Sequence, residues 1–394
     1  MRLLMYGAGK IGRGFIGAVF ASAGYEVVFV DIDTSIVDEL NEKKQYTVQI
    51  IADPKYNVTV SGVRAVDGND RDRVIDEIAG CDIMATAIGG NAVRHIAPII
   101  AEGFNRRIID SGRALDILIC ENLKDAPQVF AELIKSELPY DIHGVMEKKL
   151  GLVEAAIGRM IPVITSDEAD ADPLFIKAEE YEFLPVDRSA FRGSVPAMPQ
   201  IIPYDPFSYY EERKLYLHNM SHCICANLGL KVGYKYIWQA IADARIRVIV
   251  KGAMEESCAM LSASHGVPYH VLMRHADDLI FRYTNEELAD TCERVARDPE
   301  RKIGADDRLA APLRKCAELD IQAGNIAAGL AAVLSSMGLS EDRLGETLNN
   351  VCKLDGAVAK SVTRFYRLFV ENAQLEVLIF AIDREKYLQR GKTI

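Results

Sequence analysis

The sequence predicts an α/β protein, a doubly wound parallel sheet followed by a mostly α-helical domain. Three observations predict it. Short apolar runs alternate with helical patterns over residues 1–190, as in βαβ units. A glycine-rich turn joins the first apolar run to the first helical pattern. From Tyr209 onward, apolar residues recur at helical spacing almost to the end. A chain of 394 residues exceeds one ordinary core, so two domains are expected, drawn here as 1–195 and 196–394.

The elements follow in order. Leu3 to Tyr6 is an apolar run entering glycines, and Ile11 to Ser22 has helical spacing. Glu26 to Val30 reads as a second strand closed by Asp31. Tyr46 to Ile51 and Val58 to Val60 read as extended pieces. Val74 to Ile78 is helical, and Ile83 to Ala87 is a strand ending in Ile88-Gly89-Gly90-Asn91. Val93 to Ile100 reads as a helix and Ile117 to Cys120 as a strand. Such alternation builds a parallel sheet with helices on both faces. Ile161 to Pro206 holds seven prolines and extended pieces such as Leu174 to Lys177, and is read as strands and loops joining two domains. Helical patterns then cover Arg213–Leu228, Ile237–Ser262, Tyr269–Arg282, Asn285–Ala296, Leu309–Ala317, Asn325–Ser336 and the stretch from Val358 on.

Bulk composition narrows the function. Hydrophobic content of 49% and charged content of 26% fit a soluble globular protein. A net charge of −11 argues against a nucleic-acid surface, since phosphate backbones need a basic face. The most apolar N-terminal stretch, Met1 to Val30, is interrupted by Lys10, Arg13, glycines and Glu26. It has neither the length of a membrane span nor a signal-peptide layout, so no membrane partner and a cytoplasmic setting are expected. The eight cysteines sit in apolar contexts and read as reduced, buried thiols. Cys223 and Cys225 have the wrong gap for a metal knuckle, and no metal is expected.

Gly7-Ala8-Gly9-Lys10-Ile11-Gly12 follows the first strand and opens the first helix. A lone G-x-G-x-x-G is weak evidence, because tight turns use glycine for other reasons. Its place between strand and helix gives it a mechanism. The first glycine allows the turn, the second lets backbone approach a pyrophosphate, and the third lets helix pack on strand. Asp31 ends the second strand 19 residues after Gly12. A carboxylate there accepts bonds from a ribose 2′-hydroxyl and repels a 2′-phosphate, so NAD is the expected cofactor.

Lys214, Asn219 and His222 place a cation, an amide and an imidazole inside one helical pattern. At about 100° per residue they fall at roughly 0°, 140° and 80° around the axis. The lysine can serve as general base if burial lowers its pKa. The asparagine can donate to an alcohol or carbonyl oxygen, and the histidine can orient a second hydroxyl. His218 lies only about 40° from Lys214 on the wheel, so composition alone does not choose between the histidines. Asn122, after the run Ile117 to Ile119, would project from the C-terminal edge of the sheet, where doubly wound folds bind ligands. Taken singly, each residue has an ordinary reading as a solvated, capping or interior group.

Several motifs together resemble the polyol-specific long-chain dehydrogenases, over essentially the whole chain. They are Gly7-Ala8-Gly9-Lys10-Ile11-Gly12-Arg13-Gly14-Phe15, Cys120-Glu121-Asn122, Glu212-Arg213-Lys214-Leu215 through Asn219 and His222, Lys251-Gly252-Ala253-Met254-Glu255-Glu256-Ser257 and Asp307-Arg308-Leu309. The resemblance implies a Rossmann-type domain followed by a helical domain, with the site in the cleft between them. It implies metal-free hydride transfer with Lys214 as acid–base lysine, Asn122 and Asn219 holding the alkoxide-like oxygen, and His222 positioning substrate. One departure stands out: His218 occupies a position usually apolar in this family. The short length favours the phosphate-specific members over the longer free-polyol and hexuronate enzymes. That implies D-mannitol 1-phosphate and D-fructose 6-phosphate as the sugar phosphate pair, and a monomer or weak homodimer. Arg213, Arg301, Lys302 and Arg308 are the candidate phosphate ligands in an otherwise acidic chain.

Overall fold

The structure, a computed structural model, describes residues 1–52, 54–162 and 164–390. It divides into two compact units, Met1–Ser208 and Tyr209–Ile394.

The first unit is built on a six-stranded sheet of β1 (Arg2–Tyr6), β2 (Glu26–Asp31), β5 (Val63–Asp67), β6 (Ile83–Thr86), β7 (Leu115–Ile119) and β8 (Leu150–Glu154). Every pairing in it is parallel, and the order is β5-β2-β1-β6-β7-β8. Counting only these six strands, that is the 3-2-1-4-5-6 order of dinucleotide-binding sheets, with its reversal point between β1 and β6. Successive residues face opposite sides, as the pleat requires. Leu3, Met5, Val27 and Phe29 enter one buried core, while Leu4, Tyr6, Val28 and Val30 enter the other. A sheet buried on both faces explains why these strands read as continuous apolar runs rather than alternating ones.

The extended pieces after the second strand lie outside this sheet. β3 (Gln45–Ile50) and β4 (Tyr56–Ser61) form an antiparallel pair, and β3 also pairs with β9 (Ile176–Ala178). The strands β5 and β8 escaped the sequence reading. Val63–Asp67 carries an arginine within five residues, and Leu150–Glu154 follows directly on a helix without a turn signal.

The segment 196–208, which the expected boundary gave to the second domain, lies in the first compact unit. β10 (Leu184–Asp187) and β11 (Ile201–Tyr204) pair in parallel. Buried Asp116 in β7 accepts hydrogen bonds from Arg192 N at 2.7 Å and Gly193 N at 2.9 Å, which ties the preceding loop to the sheet.

The second unit is helical, and two of its helices are divided differently from the periodic pattern. The pattern over 237–262 is two helices, Ile237–Ala242 and Ala244–His265. Asp243 separates them in extended conformation and caps the second by accepting from Arg245 N at 2.9 Å. The pattern over 285–296 is a 3-10 turn, Glu286–Leu288, and a short helix, Cys292–Ala296. Ala289 between them has φ 48°, which no helix accepts. Among the described residues, no helix is long and apolar enough to cross a membrane.

Candidate active site

In the first unit the chain leaves β1 at Gly7, whose φ is +103°. A side chain there is strained, and its Cβ would stand 2.5 Å from the Ala87 carbonyl oxygen. At Gly12 a Cβ would lie 2.0 Å from the Gly7 oxygen, so helix and turn close only around glycine. Gly9 differs, because a Cβ there would meet nothing within 4 Å. Its backbone is therefore open to a ligand. Lys10 and Ile11 begin the helix, which passes through a π turn, Gly12–Gly17, before ending at Ser22. Asp31 Oδ2 accepts from Ala8 N at 2.7 Å and Oδ1 from Asp33 N at 3.0 Å. The carboxylate thus holds the glycine turn against the end of β2. Each of its oxygens has a second lone pair for a ribose hydroxyl. Open backbone at Gly9, a helix N-terminus and a carboxylate at the end of β2 fit a dinucleotide.

Sequence reasoning named Glu121 within a motif but gave it no role of its own. Its two carboxylate oxygens accept from Ile88 N at 2.9 Å and Gly89 N at 2.8 Å. It thereby joins the loop after β6 to the end of β7, on the far side of the reversal point from β2. Asn122 follows it and is exposed. The signal for Glu121 was its place directly after the β7 run, beside Asn122.

In the second unit the segment Lys214–Asn219 is a π turn inside a longer helix, bounded by Ser208–Arg213 and Met220–Val232. Met220 N donates to Leu215 O, an i→i+5 bond. Such a turn advances roughly 80° per residue, so Lys214, Asn219 and His222 share an arc of about 60°. An uninterrupted α-helix would spread them over about 140°. All three are half-buried.

A widened turn leaves carbonyls without their usual donors. Here three hydroxyls bond carbonyls of the turn, one of which, Leu217 O, also accepts from Met220 N. Ser257 Oγ donates to Tyr216 O at 2.6 Å, Ser221 Oγ to Leu217 O at 2.6 Å, and Tyr283 OH to His218 O at 3.0 Å. All three residues are buried. Tyr283 also stacks on His222, with ring centroids 4.9 Å apart and planes 15° apart. His222 Nε2 lies 3.2 Å from Asp290 Oδ2.

His218 sits beside this group, its ring 6.1 Å from His222 and 6.0 Å from Tyr283. Burial pushes its pKa well below the ordinary histidine value, and the charges of Arg282, His222, His275 and Lys214 push it the same way. It is a neutral imidazole at neutral pH. Burial, Arg213 and Arg282 act likewise on His275.

The four candidate phosphate ligands lie in different settings. Lys302 is buried, and its ammonium is held by the Val295 carbonyl at 2.6 Å and by the Arg297 carbonyl. Burial lowers its pKa. It is a structural cation turned away from solvent. Arg301 and Arg308 both pair with Asp307, at 3.3 and 2.7 Å. Arg213 lies 4.5 Å over the Tyr210 ring and 5.7 Å over Tyr209. A stacked guanidinium keeps its in-plane N–H fork for a ligand. Cys223 and Cys225 are buried and free, and burial raises both thiols. Among the described residues, no group of three or more His, Cys, Asp or Glu is placed to hold a metal ion.

A glycine turn on a 3-2-1-4-5-6 sheet, followed by a helical unit presenting lysine, asparagine and histidine on one arc, defines a two-domain dehydrogenase. The chain belongs to the mannitol dehydrogenase family. The family model of the mannitol dehydrogenase Rossmann domain matches residues 1–200, and that of the mannitol dehydrogenase C-terminal domain matches residues 207–363. The chain is 36% identical over 335 residues to a mannitol-1-phosphate 5-dehydrogenase of Brevibacillus brevis, covering 85% of this chain and 86% of that one. Two solved structures share the fold at 16% identity. A D-sorbitol dehydrogenase in substrate-free form matches with TM-score 0.81 over 96% of this chain and 94% of its own. The Pseudomonas fluorescens mannitol 2-dehydrogenase ternary complex with NAD and D-mannitol matches with TM-score 0.73 over 98% and 94%.

Proposed function

We propose that this protein interconverts D-mannitol 1-phosphate and D-fructose 6-phosphate with NAD, by a metal-independent route in which Lys214 is the acid–base group. The observation that carries the reading is the gathering of Lys214, Asn219 and His222 into one arc by the π turn, in a chain 36% identical to a mannitol-1-phosphate 5-dehydrogenase.

In the direction of oxidation, Lys214 Nζ accepts the proton of the reacting hydroxyl. The glycine turn and Asp31 would hold NAD, which would supply the hydride acceptor for the same carbon. Asn219 donates its amide N–H to the oxygen as charge develops there, and Asn122 is the proposed second amide donor. His222 holds a neighbouring hydroxyl and fixes which carbon presents its hydrogen. Gly7, Gly9, Lys10, Ile11 and Gly12 form the turn that receives the pyrophosphate, and Asp31 takes the ribose hydroxyls. For the substrate phosphate, Arg213 is the favoured ligand because its guanidinium rests on ring faces. Arg301 and Arg308 share Asp307 and stand second. The reading carries with it a cytoplasmic setting and a monomer or weak homodimer.

The deciding measurement is NADH oxidation with fructose 6-phosphate, fructose and fructuronate under identical conditions. The phosphate ester should be turned over with by far the highest kcat/KM. Equal efficiency with free fructose would remove the phosphate from the reading, a preference for fructuronate would move the enzyme to the hexuronate branch, and no turnover of any would leave a nucleotide-binding protein without this chemistry.

A further inference from the structure

We infer that Asp290 is a positioning residue for the reaction, acting through His222 to fix its ring plane and its tautomer. The inference rests on the reading of His222 as the residue that orients substrate.

The two residues lie 68 positions apart in sequence, and the fold brings His222 Nε2 to 3.2 Å from Asp290 Oδ2. Both side chains are largely shielded, 15% and 10% exposed. The carboxylate is itself held at several points. Its other oxygen, Oδ1, accepts from Arg294 Nη2 at 2.6 Å and Nε at 2.8 Å. Its backbone carbonyl accepts from Ile237 N at 2.9 Å. On either side, Ala289 turns the chain with φ 48°, and Thr291 forms a bridge with Tyr236. Asp290 therefore stands on a turn clamped to a helix start, rather than on a mobile loop tip. Burial would raise its carboxyl pKa, but the hydrogen bond from His222 and the bond and charge of Arg294 act against that, and the pKa lies below the usual range.

The chemistry follows from what a carboxylate can do. It accepts hydrogen bonds and donates none. The proton in the contact therefore belongs to Nε2, and a ring that carries one proton then keeps Nδ1 as an acceptor. A substrate hydroxyl oriented by His222 then donates to Nδ1. Tyr283 completes the arrangement by stacking on the ring while its hydroxyl is fixed on the His218 carbonyl, so rotation about the ring's own bond is blocked on one face. A carboxylate bonded to one ring nitrogen sets which nitrogen of a histidine faces the ligand.

The test uses the full-length enzyme with NADH and fructose 6-phosphate. Asp290→Asn should lower kcat/KM by roughly 10²-fold, the scale of a misplaced orienting group. The loss should fall mainly on KM, with NADH affinity unchanged, and Asp290→Glu should recover part of it. In the His222→Ala background the same change should have no further effect. The ring can also be read without any variant: 15N NMR of His222 in the wild-type enzyme should show a protonated Nε2 and an unprotonated Nδ1. An Nδ1-protonated ring, a wild-type kcat/KM in a folded Asp290→Asn, or an additive loss in the double variant would each overturn the inference. His222→Ala with wild-type kinetics would instead overturn the reading beneath it.

Discussion

Lys214→Ala should lower kcat by about 10²–10⁴-fold, the usual worth of a positioned acid–base group, while NADH binding measured by fluorescence titration stays close to wild type. A near-normal kcat would remove the lysine from its role. His218 supports a different prediction, because its ring is held neutral. Its folded pKa lies below the unfolded one, so the unfolded chain binds more protons as pH falls through about 6.5. The stability it contributes is present above that pH and is lost below it. His218→Leu should therefore flatten the loss of stability between about pH 6.5 and 5 in denaturant titrations, and leave the pH–rate profile near neutrality unmoved. A shifted profile would show that the ring takes part in the chemistry. The residues proposed for the acid–base and orienting chemistry stand within nine positions in the sequence, so their spacing alone brings them out. The roles of Asp290, Tyr283 and Ser257 could not be found there, because a shielded aspartate, tyrosine or serine announces nothing until the fold shows what it faces.

At the scale of elements, the wheel drawn on a regular helix put Asn219 about 140° from Lys214, and the structure draws the two together. Periodicity reads an average turn, and a single widened turn changes the register without changing the composition. The break at Asp243 escaped for a similar reason, since apolar spacing runs across it. That aspartate gives a clean test. It caps the helix Ala244–His265 and pairs with Arg245 Nη2 at 2.6 Å. Its hydrogen bonds to Arg245 bring its pKa down to about 2. Because the folded value is depressed, the contribution is whole above the unfolded value of 3.8 and fades as pH falls toward 2. Asp243→Ala should cost about 1–2 kcal/mol at neutral pH by urea unfolding, as loss of a helix cap does. The difference from wild type should shrink in acid. A difference that persisted unchanged at pH 2 would show that packing, not charge and capping, sets the cost.

Across the whole molecule, the parallel sheet and the run of helices were legible because apolar pattern and glycine placement act over short distances, while the order of the strands was not. The insertion β3–β4 was seen as extended chain but not as a separate sheet, since its partner β9 lies more than a hundred residues on. Stability offers a global check on the cofactor. A ligand that binds only the folded state adds about 2.7 kcal/mol at a hundred times its Kd. NAD should therefore raise Tm further than NADP at equal concentration, because Asp31 repels a 2′-phosphate. The reverse order would overturn the role given to Asp31.

The π turn has a consequence for how this enzyme can change over generations. The angle between Lys214 and His222 is stored in backbone bonding, and that bonding is guarded by the hydroxyls of Ser221, Ser257 and Tyr283. None of these hydroxyls is assigned any chemistry on the substrate. A lineage could therefore lose its reaction through a substitution at 257, with every reactive group still written in its gene.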